Sequence, residues 1–213
     1  MSKLLIIIGS TRPTRAADLV VPWLTQAAKE HGGFDVEIAD LRDWPLPIFT
    51  EHAGTIGDIS DPTYSDPLVK AWNNKIKEHD AFIIVTPEYN HSVPGGLKNA
   101  IDNVWLSFSF RNKPVAFVGY SGGVSGAMRA IEHLNHIFIE TESVPLRNTV
   151  VLPQVQSVFN EAGEATSPMA KAALSVLLDD LAWWSTALEK ARAEGELTPG
   201  SFRVRAQLEA AQA

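Results

Sequence analysis

The sequence predicts an α/β protein in which a five-stranded parallel sheet carries helices on both faces. Short apolar runs, such as the run at residues 4–8, alternate along the chain with longer segments whose apolar residues recur at helical spacing. Most of these runs lack the polar alternation of a half-exposed strand, which indicates a sheet buried on both faces. Right-handed crossovers and the count of five strands favour the strand order 2-1-3-4-5.

The first half of the chain is expected to supply three strands and two helices. The first strand, at residues 4–8, stops at Gly9, and the first helix ends at the pair Gly32-Gly33. Residues 42–66 are rich in Pro, Gly, Asp and Thr, and a loop of this length is usually functional or part of an interface. Pro87 stops the third strand. The expected elements are strands at 4–8, 36–41 and 81–86, and helices at 16–31 and 66–79.

The second half is expected to add two strands and three helices. Pro94 suits the first turn of a helix, where its missing N–H costs nothing. Apolar residues at helical spacing predict that the last long helix turns Leu174, Leu181 and Trp184 inward. Residues 1–195 then form one domain, and residues 196–213 form a tail with a short helix near 202–211. The expected elements are strands at 114–120 and 146–152, and helices at 94–105, up to about 138, and at 169–193.

Composition excludes several classes of protein. The 213 residues include no Cys, which rules out a disulfide framework, a thiolate metal site and a cysteine nucleophile, so redox work would need a bound cofactor. With 18 Lys and Arg against 25 Asp and Glu, the net charge is −7, a poor basis for non-specific nucleic-acid binding. We find no export signal and no apolar stretch of about 20 residues, so we expect no membrane span and a cytoplasmic protein.

The loop after the first strand has the residues of a phosphate site. It joins a buried strand to a helix N-terminus, where free N–H groups favour an anion. Ser10, Thr11 and Thr14 add hydroxyl donors. Arg12 and Arg15 add positive charge. It lacks the Gly-Lys-Ser/Thr of a Walker A loop and the glycines of the dinucleotide fingerprint. The alternative is an ordinary turn with solvated arginines.

The loop after the third strand, residues 86–95, suits the edge of a planar heterocycle. Two prolines restrain it, Tyr89 offers a flat apolar face, and Asn90 and Ser92 can donate hydrogen bonds. The alternative is a tight loop whose Asn and Ser cap the next helix.

The loop after the fourth strand, residues 119–123, supports two interpretations. Its sequence matches G-x-S-x-G, the nucleophile elbow of hydrolases, with Ser121 as nucleophile. That chemistry needs a downstream His, and the last one, His136, falls within the next helix. We therefore favour a glycine turn that lets backbone amides approach a flat ligand.

These loops resemble those of the NAD(P)H-dependent FMN reductase family, which includes flavin, quinone, chromate and azo-dye reductases on a flavodoxin-like fold. The resemblance rests on Gly-Ser-Thr-Arg-Pro-x-Arg, on the motif from Pro87 to Asp102, and on the glycine pair after strand four. It implies non-covalent FMN, NAD(P)H as co-substrate, a flavin, quinone or other small electron acceptor, and a homodimer or homotetramer. The implied cofactor-binding residues are Ser10, Thr11, Arg12, Arg15, Ala16, Ala17, Pro87, Glu88, Tyr89, Asn90, Ser121, Gly122 and Gly123.

The sequence departs from the family pattern at Thr14, where many members carry Gly, and at Ala16-Ala17, where others have Gly or a small polar residue. Only backbone contacts are therefore expected at residues 16 and 17. No residue is expected to act as a strict catalytic acid or base, because a flavin carries the hydride chemistry. His133, His136 and Glu140 share a helix face, but no further ligand is identifiable and no metal is expected. A non-enzymatic FMN-binding electron carrier or sensor, or a serine esterase, stays as an alternative.

Overall fold

A computed structural model describes residues 1–59 and 61–212 as a parallel sheet flanked by helices. Its strands run in the order β2-β1-β3-β4-β5, with β6 also paired to β4. The predicted order and fold class are thus confirmed. The strands are β1 (Ser2–Ile8), β2 (Phe34–Asp40), β3 (Ala81–Pro87), β4 (Pro114–Tyr120), β5 (Val144–Pro145) and β6 (Val150–Leu152).

The helices cover both faces of the sheet, and side chains cap the first turns of three of them. The His52 side chain accepts from the amide of Gly54 at the start of the second helix. The Asp66 side chain accepts from the amide of Leu68, and the Ser167 side chain accepts from the amide of Ala170. Short 3₁₀ turns lie at Trp105–Ser107 and, after β6, at Val155–Ser157. The helices are α1 (Ala17–His31), α2 (Ala53–Ile56), α3 (Pro67–Lys77), α4 (Gly95–Asp102), α5 (Met128–Glu140), α6 (Pro168–Glu194) and α7 (Gly200–Ala210).

The strands divide their side chains between two hydrophobic cores. In β1, Leu4, Ile6 and Ile8 pack with residues of α1 and α6, whereas Leu5 and Ile7 pack with residues of α3, α4 and α5. This alternation follows from the two-residue period of a strand. Because both faces are covered, the central strands are apolar throughout, as the sequence predicted.

The fifth strand, predicted as one continuous strand at 146–152, is divided into two short strands, β5 and β6. Val115 of β4 pairs with Pro145, and Val118 pairs with Val150. An advance of three residues along β4 therefore lies opposite an advance of five residues along the segment that contains β5 and β6. The two extra residues leave the ladder, and Asn148 in this segment donates to Asp180 on α6 at 2.5 Å. The pairing with β4 continues as far as Leu146, whose amide donates to the Val115 carbonyl at 2.8 Å, and resumes at Val150, so the edge strand divides into β5 and β6.

Three further expectations need correction. Trp184, predicted to face inward, is 37% exposed. The helix expected at 94–105 ends at Asp102, and the loop at 42–66 contains the single turn α2. In the described part of the chain no helix is both long and apolar enough to cross a membrane.

Candidate functional site

A cavity of about 300 Å³ lies at the carboxyl ends of β1, β3 and β4. Ligands bind at this edge of open parallel sheets, where the strand order reverses. The loops predicted to form a site therefore meet in space. The cavity is lined by Ser10, Arg12, Thr14, Arg15, Ala16, Pro87, Glu88, Tyr89, Tyr120, Ser121, Gly122, Val155 and Gln156.

The loop from Ser10 to Ala16 presents unused backbone donors at the start of α1. In the described part of the chain, the amides of residues 10–12 and 14–16 donate to no protein acceptor. Thr14 and Arg12 are exposed beside them. Arg42 holds the loop from outside by donating to the carbonyls of Arg12 and Pro13. Successive free amides at a helix N-terminus, joined by a cationic side chain, form a site for an anion.

Arg15 lines the cavity, but its guanidinium is engaged elsewhere. Its Nη1 donates to Asp40 Oδ1 at 2.6 Å and to the Ser10 carbonyl at 2.7 Å, and its Nε donates to Asp18 at 2.8 Å. Although burial opposes ionisation of Asp40, the hydrogen bonds from Arg15 and Arg42 hold the pKa of that carboxyl below its ordinary value. Arg15 therefore braces the loop between α1 and the end of β2.

The loop after β3 is a tight turn tied to its neighbours. Asn90 and His91 have φ of 50° and 66°, and the backbones of Tyr89 and Ser92 exchange hydrogen bonds across them. The Tyr89 hydroxyl is 2.8 Å from the Ser10 hydroxyl, which joins this turn to the first loop. The Ser92 hydroxyl lies 2.8 Å from His133 Nδ1 on α5.

Glu88 forms a second tie between this turn and α5. Arg129 donates to the Glu88 carboxylate, whose side chain is only 6% exposed. That hydrogen bond lowers the pKa of Glu88 below its ordinary value, and burial opposes it without prevailing. Glu88 is therefore held ionised and is not poised to exchange a proton.

The hydroxyl of Ser121 organises its own loop. It donates to the Gly123 carbonyl at 2.9 Å and accepts from the Gly126 amide at 2.9 Å. Ser121 does not have the positive φ of a strained nucleophile turn, and no His among the described residues hydrogen-bonds its hydroxyl. This geometry favours the glycine-turn interpretation over the nucleophile elbow.

Nine of the thirteen residues predicted for the site line the cavity, and four do not: Thr11, Ala17, Asn90 and Gly123. Sequence reasoning missed Tyr120, Val155 and Gln156, and named Thr14 only as a hydroxyl donor. Tyr120 is the last residue of β4, and Val155 and Gln156 follow β6. The rule that ligands bind beyond the carboxyl ends of strands could have identified all three.

Comparison with known proteins identifies the family. A family model described as NADPH-dependent FMN reductase matches residues 2–157, well over half of the chain. The chain belongs to the NADPH-dependent FMN reductase family. It is thereby an FMN-dependent NAD(P)H oxidoreductase, as the resemblance of its loops implied.

Individual relatives agree with this membership. An NAD(P)H-dependent FMN reductase of Schizosaccharomyces pombe is 33% identical over 174 residues, which cover 79% of this chain and 84% of the relative. A quinone reductase of Escherichia coli is 48% identical over 86 residues, or 38% of this chain and 45% of the relative. Among solved structures, the flavoenzyme FerB of Paracoccus denitrificans, an NAD(P)H:(acceptor) oxidoreductase, superposes with a TM-score of 0.70 at 24% identity, covering 88% of this chain and 98% of that chain.

Proposed function

We propose that this reductase seats FMN in the cavity at the ends of β1, β3 and β4 and uses NAD(P)H to reduce a small electron-poor acceptor. The observation that carries the proposal is the row of unused amides from Ser10 to Ala16 beside Arg12, at the edge of that cavity. Such donors suit a phosphate dianion. When bound, FMN supplies the hydride and electron transfer itself.

The phosphate would be held by the loop that joins β1 to α1. Its amides and the Thr14 hydroxyl would donate hydrogen bonds, and Arg12 would add a charge-assisted one. The Thr11 amide belongs to this row, and the Ala17 amide, which lies beside the Tyr120 hydroxyl, follows it. Arg15 would act indirectly, because its bond to the Ser10 carbonyl fixes the loop.

The isoalloxazine would lie between the turn after β3 and the loop after β4. Pro87, Glu88 and Tyr89 line one side of the cavity, and Ser121 and Gly122 line the other. A Cβ on Gly122 would meet only the Gln156 side chain, at 3.7 Å, so the residue leaves room for a flat ring. We propose that Asn90 and Gly123 lie at the rim of the cavity, beside the bound ring. Glu88 at this position is not poised for proton transfer, since it is paired with Arg129.

Relatives suggest the class of acceptor. The names of related proteins include a quinone reductase of Escherichia coli and an FMN-dependent NADPH-azoreductase of Staphylococcus saprophyticus. Quinones and azo compounds are both conjugated and electron-poor, so a shallow cleft beside the ring suits either. We propose that this chain accepts quinones or similar small aromatics.

We further propose a homodimer or homotetramer in the cytoplasm, where NAD(P)H is available. On α5, Met128 and Ile139 are 54% and 61% exposed, and their spacing of eleven residues places them on one helix face. On α6, Trp183 is 65% exposed and packs edge-on against Trp184. Exposed apolar side chains on two helices support contacts between subunits.

Steady oxidation of NAD(P)H against a panel of flavins, quinones and azo dyes tests the proposed function. We expect a yellow protein that releases FMN on denaturation and turns over with at least one acceptor. A protein that binds FMN but sustains no NAD(P)H oxidation would be an electron carrier or sensor. Hydrolysis of p-nitrophenyl esters without flavin would instead indicate the esterase alternative.

A further inference from the structure

Among the described residues, one buried hydroxyl in the cavity lacks a hydrogen bond of ordinary geometry. Tyr120 is 3% exposed and lines the cavity, and its hydroxyl has no hydrogen bond of ordinary geometry in the described part of the chain, although the backbone amide of Ala17 lies near it. The Ser10 hydroxyl is a near neighbour but is bonded to Tyr89. A polar group left unsatisfied inside a protein lowers the stability of the fold. A phenylalanine would fill the same space without that cost, so the hydroxyl needs another explanation.

The position of Tyr120 suggests what the hydroxyl meets. Its strand neighbour across the sheet is Pro87, and its ring packs in the core against α1 and α6. The hydroxyl therefore lies between the turn after β3 and the N-terminus of α1, beside Ser10 and the amide of Ala17. Burial raises the pKa of Tyr120 to about 12, so at neutral pH the phenol is protonated and can donate.

The loop has fewer charged donors than its sequence suggests. Of its two arginines, Arg15 is committed to Asp40 and Asp18. A dianion bound there would have one guanidinium, from Arg12, and otherwise neutral donors. A phenol reaching the site from β4 would add a donor that neither the loop nor α1 supplies.

We infer that the Tyr120 hydroxyl donates a hydrogen bond to the phosphate of bound FMN and helps the protein select FMN over riboflavin. This inference rests on the proposed location of FMN. It assigns Tyr120 a role in cofactor selection that opposes its contribution to folding. Residues at binding sites commonly show this conflict between stability and function.

The test compares Tyr120→Phe with Tyr64→Phe in flavin-free protein. Both changes remove one buried phenolic hydroxyl, but that of Tyr64 is bonded to Asn73 at 3.1 Å and lies outside the cavity. Affinities for FMN and riboflavin are measured by quenching of flavin fluorescence, and thermal stability is measured with and without inorganic phosphate.

We expect Tyr120→Phe to lose about ten- to a hundredfold in FMN affinity, with riboflavin affinity unchanged. Its flavin-free Tm should equal or exceed that of the parent, and phosphate should raise that Tm less than it does in the parent. Tyr64→Phe should lower the Tm and keep the parent's preference for FMN.

An unchanged ratio of FMN to riboflavin affinity in Tyr120→Phe, or a fall in its flavin-free Tm like that of Tyr64→Phe, would overturn the inference. Failure of the proposed function gives a different result, because the parent itself would then bind neither flavin or bind both equally.

Discussion

Arg12 and Arg15 lie in the same loop. Of these two arginines, Arg15 has a guanidinium that is fully engaged, whereas that of Arg12 makes no hydrogen bond in the described part of the chain. We predict that Arg12→Ala weakens FMN binding by about ten- to a hundredfold, the value of a charge-assisted hydrogen bond. Riboflavin affinity and Tm should stay unchanged, because riboflavin lacks the phosphate and Arg12 is exposed. Fluorescence titration of flavin-free protein measures both affinities. Equal losses for the two ligands would show that Arg12 does not contact the phosphate.

Arg15→Ala, unlike Arg12→Ala, should lower the stability of the folded protein. It removes the partner of Asp40 and leaves that carboxylate without its main donor. Breaking such a partly buried ion pair costs about 3 kcal/mol of the free energy of unfolding. Urea unfolding of the flavin-free protein measures this, and Arg12→Ala is the matched control. A stability equal to that of the parent would contradict the bracing role.

The pairing of Glu88 with Arg129 predicts a pH-dependent contribution to stability. The folded pKa of Glu88 lies below the ordinary value of 4.5, so the unfolded chain binds the proton more readily. The contribution is therefore complete above about pH 5 and disappears as the pH falls through the folded pKa. Arg129→Met should lower the free energy of unfolding at pH 7 and make a smaller difference at pH 3. A difference that does not vary with pH would exclude this account.

Among the elements, the turn between β4 and α5 depends on a glycine that does not line the cavity. Gly126 has φ of +58°, and a Cβ there would lie 2.3 Å from Val151 Cγ1 and 3.1 Å from the amide nitrogen of Pro153. Gly122 and Gly123 lack positive φ, and a Cβ on Gly123 would meet nothing within 4 Å. Only Gly126 is therefore required by the backbone itself.

Gly126→Ala should destabilise the protein by at least about 2 kcal/mol, from the strained φ and the overlap with β6. Gly123→Ala should change stability by less than about 0.5 kcal/mol. Thermal unfolding of the two flavin-free variants gives the comparison. If both tolerate the methyl group equally, the turn does not have this conformation in solution.

The sequence predicted the elements and their order well where apolar periodicity was strong. The three central strands, β1, β3 and β4, are nearly continuous apolar runs, and the strand order follows from crossover handedness. It did not predict the break between β5 and β6, because the two extra residues become visible only in the register against β4. For the site, the sequence predicted the same phosphate-binding role for Arg12 and Arg15. It could not distinguish them, because Asp40, the acceptor that engages Arg15, lies 25 residues away in the sequence. Tyr120 lies within the predicted loop at 119–123 but was not among the predicted site residues, because contacts there were expected only from Ser121 and the glycine pair.

For the molecule as a whole, the exposed apolar side chains on α5 and α6 predict self-association. Light scattering coupled to size-exclusion chromatography should give a mass of two or four chains of 23.2 kDa. Ile139→Lys should weaken the assembly through α5, and Trp183→Lys should weaken one through α6, with the fold retained in both because the residues are exposed. A parent protein that elutes as a monomer at micromolar concentration would contradict the proposed assembly.

The central claim is that FMN, held through its phosphate in this cavity, carries the reductase activity. The most direct test is the rate of NAD(P)H oxidation with a quinone acceptor, measured while flavin-free protein is titrated with FMN or with riboflavin. We predict no turnover without flavin, recovery that saturates at about one FMN per chain, and little recovery with riboflavin at the same concentration. Turnover that is independent of added flavin, or equal recovery with both flavins, would contradict the central claim.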